Sequence, residues 1–148
     1  MPRPGGVALA ILAASGGLLI LVGLGVVALG IVDPELVSSR IPDSVIDTAA
    51  VGGAMVALGC GTVLLGVLHL VAVAAVRVRV RGAATGTVVL AAGMAILAFA
   101  FGVAALVSAV AGTAPAILML PGSAGLLLAT IAYALVVGAL AGATGAPD

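Results

Sequence analysis

From Gly82 to Pro147 the chain runs 66 residues without one charged side chain, and residues 4–32 and 48–76 form two further uncharged stretches of 29 each. A single helical crossing of a bilayer takes about 20 apolar residues, so the two shorter stretches each hold one crossing and the long one holds two. The ten charged residues are confined to Arg3, Asp33, Glu35, Arg40, Asp43, Asp47, Arg77, Arg79, Arg81 and Asp148, which leaves the intervening spans continuously apolar. With 64% hydrophobic and 7% charged residues, the 148-residue chain has far too little charge to cover a water-facing surface, where an ordinary globular domain carries about 25%.

Every backbone amide inside a bilayer must be satisfied within its own segment or in a closed barrel. Barrel strands alternate apolar and polar residues over about ten positions, and these spans do not alternate. The sequence therefore predicts an all-α integral membrane protein, a bundle of four transmembrane helices over residues 7–31, 48–76, 84–111 and 118–142, all within one domain, residues 1–148.

The break in the long apolar stretch falls near Gly112-Thr-Ala-Pro-Ala, with Pro121-Gly122 just beyond. Proline lacks an amide proton and turns the preceding residue away from helix. Ile117-Leu-Met-Leu then either opens the fourth helix with Pro121 in its first turn or forms an interfacial approach to it. At the other end, Arg3 precedes an apolar run in which Ala13-Ala14-Ser15 resembles a signal-peptide cleavage site, but the run continues to Val32. That exceeds the 7–15 residues of a typical signal core, so a retained first helix is expected.

Arginine placement sets the expected orientation, because short cytoplasmic loops carry the excess of positive residues. Arg3 precedes the first helix and Arg77, Arg79 and Arg81 lie in the loop 77–82, whereas the segment 33–47 holds Arg40 alone among four acids. Both termini and the loop 77–82 are thus expected inside, and segment 33–47 outside. Asp33-Pro34-Glu35 matches an N-cap, a first-turn proline and a first-turn acid, which predicts a short surface helix there. Its carboxylates are read as a solvated face, not as a cation site.

Glycines recur in a register. Gly16, Gly17, Gly23, Gly25 and Gly30 in the first span reappear 36 residues later as Gly52, Gly53, Gly59, Gly61 and Gly66. Gly16, Gly23 and Gly30 are seven apart, as are Gly52, Gly59 and Gly66, and seven residues nearly complete two helical turns, so each trio lines a narrow stripe. Such a stripe lets another backbone approach closely, which is how membrane helices gain contact when lipid is as apolar as leucine. These six glycines are the expected helix-packing positions, with the first two helices against each other. Gly53-Ala57-Gly61, Gly82-x-x-x-Gly86 and Gly138-x-x-x-Gly142 carry small-residue spacing of four and are assigned to internal packing in preference to a dimer, which the same spacing could serve.

Chemistry is scarce. Among residues inside the spans, His69 is the one ionisable side chain besides Cys60 and Tyr133, and intramembrane ionisable groups are functional candidates by default. With no second histidine and no carboxylate in a span, His69 has neither the co-ligands for a metal nor the oriented base of nucleophilic catalysis. It is read as a neutral imidazole either donating to a backbone carbonyl or reaching the interface. Tyr133 lies mid-span, where its hydroxyl is expected to bond to a facing helix. Phe99, Phe101 and Met94 are read as bundle filler, and Thr62, Thr85, Thr87, Ser108 and Thr130 as hydroxyls bonded four residues back.

A lone Cys60 excludes an intrachain disulfide and any multi-cysteine metal site. The glycine clusters lack the lysine of a phosphate-binding loop, and zero net charge with no long basic run leaves no footprint for nucleic acid. No catalytic, cofactor or metal residue is therefore assigned. The first span has no embedded glutamate of the small multidrug transporter kind, the chain has no asparagine of the fluoride-channel kind, and segment 33–47 has no cysteine of the tetraspanin or claudin kind. In architecture, and in Gly66-x-x-His69 running into an arginine-bearing loop, the chain resembles small bacterial four-helix membrane proteins, a likeness that implies no activity. A lysine-free alphabet points the same way.

The sequence thus supports a non-enzymatic accessory or structural subunit of a bacterial plasma membrane, its partners being the lipid bilayer and either other membrane proteins or copies of itself. The alternative is a small transporter, channel or holin-like pore formed on oligomerisation, with Thr62, His69 and Thr130 lining its path.

Overall fold

A computed structural model of the chain describes residues 4–35, 48–112 and 116–144, and these are helical throughout apart from short turns. Four helices follow one another: α1 Pro4–Val32, α2 Thr48–Arg77, α3 Ala83–Val110 and α4 Ala116–Thr144. At 1.5 Å per residue, helices of 28 to 30 residues are about 42–45 Å long, which matches a bilayer with its headgroups included. All four are long and apolar enough to span a membrane. The short helix expected in the segment after α1 lies, beyond Asp33–Glu35, outside the described residues.

Residues Leu12–Val71 form one compact unit, and Met1–Ile11 with Ala72–Asp148 form another. In the first unit, α1 and α2 run antiparallel with Gly16, Gly23 and Gly30 against Gly66, Gly59 and Gly52. In the second, α3 and α4 pack along each other. There the buried positions of α3 are small, Thr87, Ala91, Ala98 and Gly102, whereas those of α4 include the larger Tyr133, Val136 and Leu140. Leu126 and Leu127 of α4 close on Gly102, where an added Cβ would lie 3.2 Å from Leu127 and 3.3 Å from Leu126. A small-residue stripe on one helix thus receives branched side chains from the other.

The helix ends have local causes. After Arg77 the chain closes α2 with two bonds, Val80 N–H to the Ala75 carbonyl at 3.0 Å and Arg79 N–H to that of Val76 at 3.1 Å, the pair that defines a Schellman motif. This motif puts its C′ residue in the left-handed region, and Arg79 occupies it at φ 58°. Glycine is the usual choice there, because a Cβ in that conformation costs roughly 1–2 kcal/mol. Gly82 then takes φ 77° immediately before α3, and Gly112 takes φ 69° just after it, which ends α3 where the sequence places its break.

α4 opens at Ala116 and takes Pro121 into its interior, not into its first turn. Proline there removes the amide that would bond the Ile117 carbonyl. Two residues on, the buried Ser123 hydroxyl donates to the Leu120 carbonyl at 2.9 Å. The side chains of Phe99 and Phe101 are exposed, which corrects their reading as bundle filler: α3 buries its stripe of small residues and turns both rings outward.

Candidate functional site: the glycine seam and His69

Heptad spacing makes the α1–α2 seam possible because each step of seven up α1 is answered by seven down α2. An added Cβ on Gly23 would lie 2.7 Å from the Gly59 carbonyl oxygen, and one on Gly59 would lie 2.7 Å from that of Gly23. The same reciprocity holds for Gly16 with Gly66, at 2.9 and 2.6 Å, and for Gly30 with Gly52, at 2.9 and 2.8 Å. Backbone cannot yield as a side-chain tip can, so any residue larger than glycine forces the helices apart. Val27 and Val63 flank the central pair, with methyl carbons at 2.6 and 2.8 Å from the same hypothetical Cβ positions.

The remaining glycines of the 36-residue register are placed differently. Gly17, Gly25, Gly53 and Gly61 have nothing within 4 Å of where a Cβ would stand. Open space also surrounds Gly86, Gly138 and Gly142, so the assignment of these small-residue spacings to internal packing is corrected. They lie on outward faces, and Gly82 serves a left-handed turn instead.

His69 sits at one end of the seam and is fully buried, its Cβ at 2.9 Å from the position of an added Gly16 Cβ. Its Nδ1 lies 2.7 Å from the Leu65 carbonyl oxygen. Since a carbonyl can only accept, Nδ1 carries the hydrogen, and the ring is fixed along its own helix by a bond to the preceding turn. Among the described residues, no three of His, Cys, Asp and Glu gather as a metal site would need. The geometry makes His69 a packed wall of the glycine seam.

Other polar groups behave similarly. Thr62, Thr87 and Thr130 donate to the carbonyls of Leu58, Ala83 and Leu126 at 2.8, 2.7 and 3.0 Å. Such bonds satisfy hydroxyls in an apolar medium without a partner helix. Tyr133 is buried at 6% exposure, and Cys60 is exposed. A shallow apolar groove in the second unit is lined by Val7, Ala8 and Ile11 of α1 with Leu135, Val136 and Ala139 of α4, and it offers no polar group to orient a ligand. The Arg79 conformation was not legible in advance, since the sequence signal for a left-handed helix end is glycine or asparagine.

These features define an apolar four-helix chain with a glycine-mediated antiparallel helix pair. No protein family, curated protein or solved structure matches it.

Proposed function

We propose that the chain is a multi-pass protein of a bacterial plasma membrane, with both termini in the cytoplasm, and that it acts without catalysis as an accessory or structural subunit. Supporting insertion, large apolar side chains stand exposed on every helix, among them Leu21 and Ile31, Leu58 and Leu64, Ile96 and Phe101, Leu128 and Leu135. In water this surface costs about 25 cal/mol per Å2, and in lipid it costs nothing. The arginine distribution supports the orientation: Arg3 and the turn with Arg77, Arg79 and Arg81 inside, Arg40 outside.

The observation that carries the subunit reading is the contrast between two sets of glycines. Gly16, Gly23, Gly30, Gly52, Gly59 and Gly66 are consumed by contact within the chain, while Gly53, Gly61, Gly138 and Gly142 remain open. Small residues on an outward face permit close approach of a further transmembrane helix, from another protein or from a second copy.

Reporter fusions after residue 38 and at the C-terminus test orientation, with an external signal expected from the first and a cytoplasmic one from the second. Purified protein in liposomes tests function. Liposomes tight to ions and dyes, with a stoichiometric membrane partner held by the Gly53 and Gly138 faces, support the subunit reading. Leakage that rises with protein oligomerisation replaces it with a pore.

A further inference from the structure

We propose that the turn joining α2 to α3 binds the headgroups of anionic phospholipids, with Arg77, Arg79 and Arg81 as ligands of the lipid phosphate. The proposal rests on the membrane reading above. Three guanidinium groups fall within five residues, and all three are exposed. In the sequence no acidic residue occurs between Asp47 and Asp148. Their mutual repulsion is relieved by an anion, and arginine presents phosphate with a planar pair of donors.

Depth brings the phosphate to them. The 30 residues of α2 span about 45 Å, the thickness of a bilayer with its headgroups, so Arg77 at the helix end stands at headgroup level. Val78 and Val80 alternate with the arginines and are 73% and 55% exposed. Apolar and cationic side chains on one exposed turn suit the boundary between acyl chains and headgroups.

Arg79 supplies an independent observation. It holds the left-handed C′ position of the Schellman turn at φ 58°, in a chain that uses glycine 22 times. Glycine would fit that backbone without strain, and strained positions of this kind are held where the side chain is used. Among the described residues nothing encloses the exposed turn to desolvate a free ion, so the occupant is a lipid, whose tails hold its phosphate at this depth. A zwitterionic headgroup adds an ammonium that three clustered arginines repel.

The test uses the full-length purified chain in detergent, offered equal amounts of phosphatidylglycerol and phosphatidylcholine, with retained lipid counted by native mass spectrometry. Wild type is expected to retain phosphatidylglycerol at least tenfold better. Arg79→Gly should lower that preference about fivefold, the effect of one surface arginine, without loss of thermal stability. Arg77→Gln with Arg79→Gln and Arg81→Gln should abolish it, and Arg40→Gln should leave it intact. Equal retention of both lipids by wild type overturns the proposal, as does an unaltered preference in Arg79→Gly and the triple variant. Displacement of the lipid by millimolar inorganic phosphate would likewise overturn it in favour of a free-anion site. Carbonate extraction separates the two levels: a carbonate-soluble protein rejects the membrane reading and this site together, whereas an inserted protein without lipid preference rejects only the site.

Discussion

Gly23 and Gly59 face each other so closely that a Cβ on either would stand 2.7 Å from the other's carbonyl oxygen. Real Cβ atoms do not approach backbone oxygen this nearly, so the two helices must separate before either position accepts alanine. Gly23→Ala and Gly59→Ala are each expected to destabilise the protein by about 1–3 kcal/mol, the usual cost of overpacking. Paired replacement of both by isoleucine should do more. Thermal unfolding of the detergent-solubilised variants measures this, and an unchanged midpoint would contradict the close approach.

A matched set of substitutions separates contact from composition. Gly25→Ala and Gly61→Ala lie in the same two helices but add a Cβ where nothing stands within 4 Å. Alanine is the better helix former by about 1 kcal/mol, so these variants should unfold at or above the wild-type temperature. If seam and open glycines responded alike, helix propensity and not packing would govern both.

Gly102 offers an intermediate case. Its hypothetical Cβ meets Leu127 at 3.2 Å and Leu126 at 3.3 Å, and the nearer contact is with the branched end of a side chain. A leucine can shift by a few tenths of an ångström where a carbonyl in a packed helix cannot. Gly102→Ala is therefore expected to cost less than Gly23→Ala in the same unfolding assay, about 1 kcal/mol or under, at the lower edge of overpacking effects.

The glycine register shows how much of this was legible in the sequence. Evenly spaced trios read the same forwards and backwards, so a pattern found as a translation by 36 residues also fits an antiparallel pair, and Gly16, Gly23 and Gly30 find partners. Gly17, Gly25, Gly53 and Gly61 break that symmetry and point to open space, which one-dimensional spacing cannot reveal. Charge gaps located the helices because each uncharged stretch is long enough for one or two continuous apolar helices. The outward turn of Phe99 and Phe101 was illegible, because a helix that is apolar all round carries no periodic signal for which face is buried.

Arg79 predicts an unusual gain. Replacing it with glycine relieves the left-handed strain at φ 58°, and should stabilise the α2–α3 turn by about 1 kcal/mol. Hydrogen exchange of the Arg79 and Val80 amides, both bonded to the last turn of α2, reads the effect locally. Faster exchange in Arg79→Gly would mean that the arginine side chain holds the turn, and that its conformation is no burden.

Among the described helical residues His69 is a fully buried ionisable side chain, and its surroundings argue for packing. Its Nδ1 is bonded to the Leu65 carbonyl at 2.7 Å, and its body is buried beside Gly16. That carbonyl also faces the helical amide at residue 69, so losing the imidazole leaves it satisfied, and leucine has a volume close to that of histidine. His69→Leu keeps most of the side-chain volume beside Gly16 and should thus cost less stability than His69→Ala in the same unfolding assay. His69→Ala should lose more by opening a cavity beside the seam. If the protein does conduct, a path lined by His69 requires His69→Leu to close it in liposome flux, whereas a packed histidine requires flux to be unchanged. Stability and flux measured on one variant separate a wall of the glycine seam from a lining of a channel.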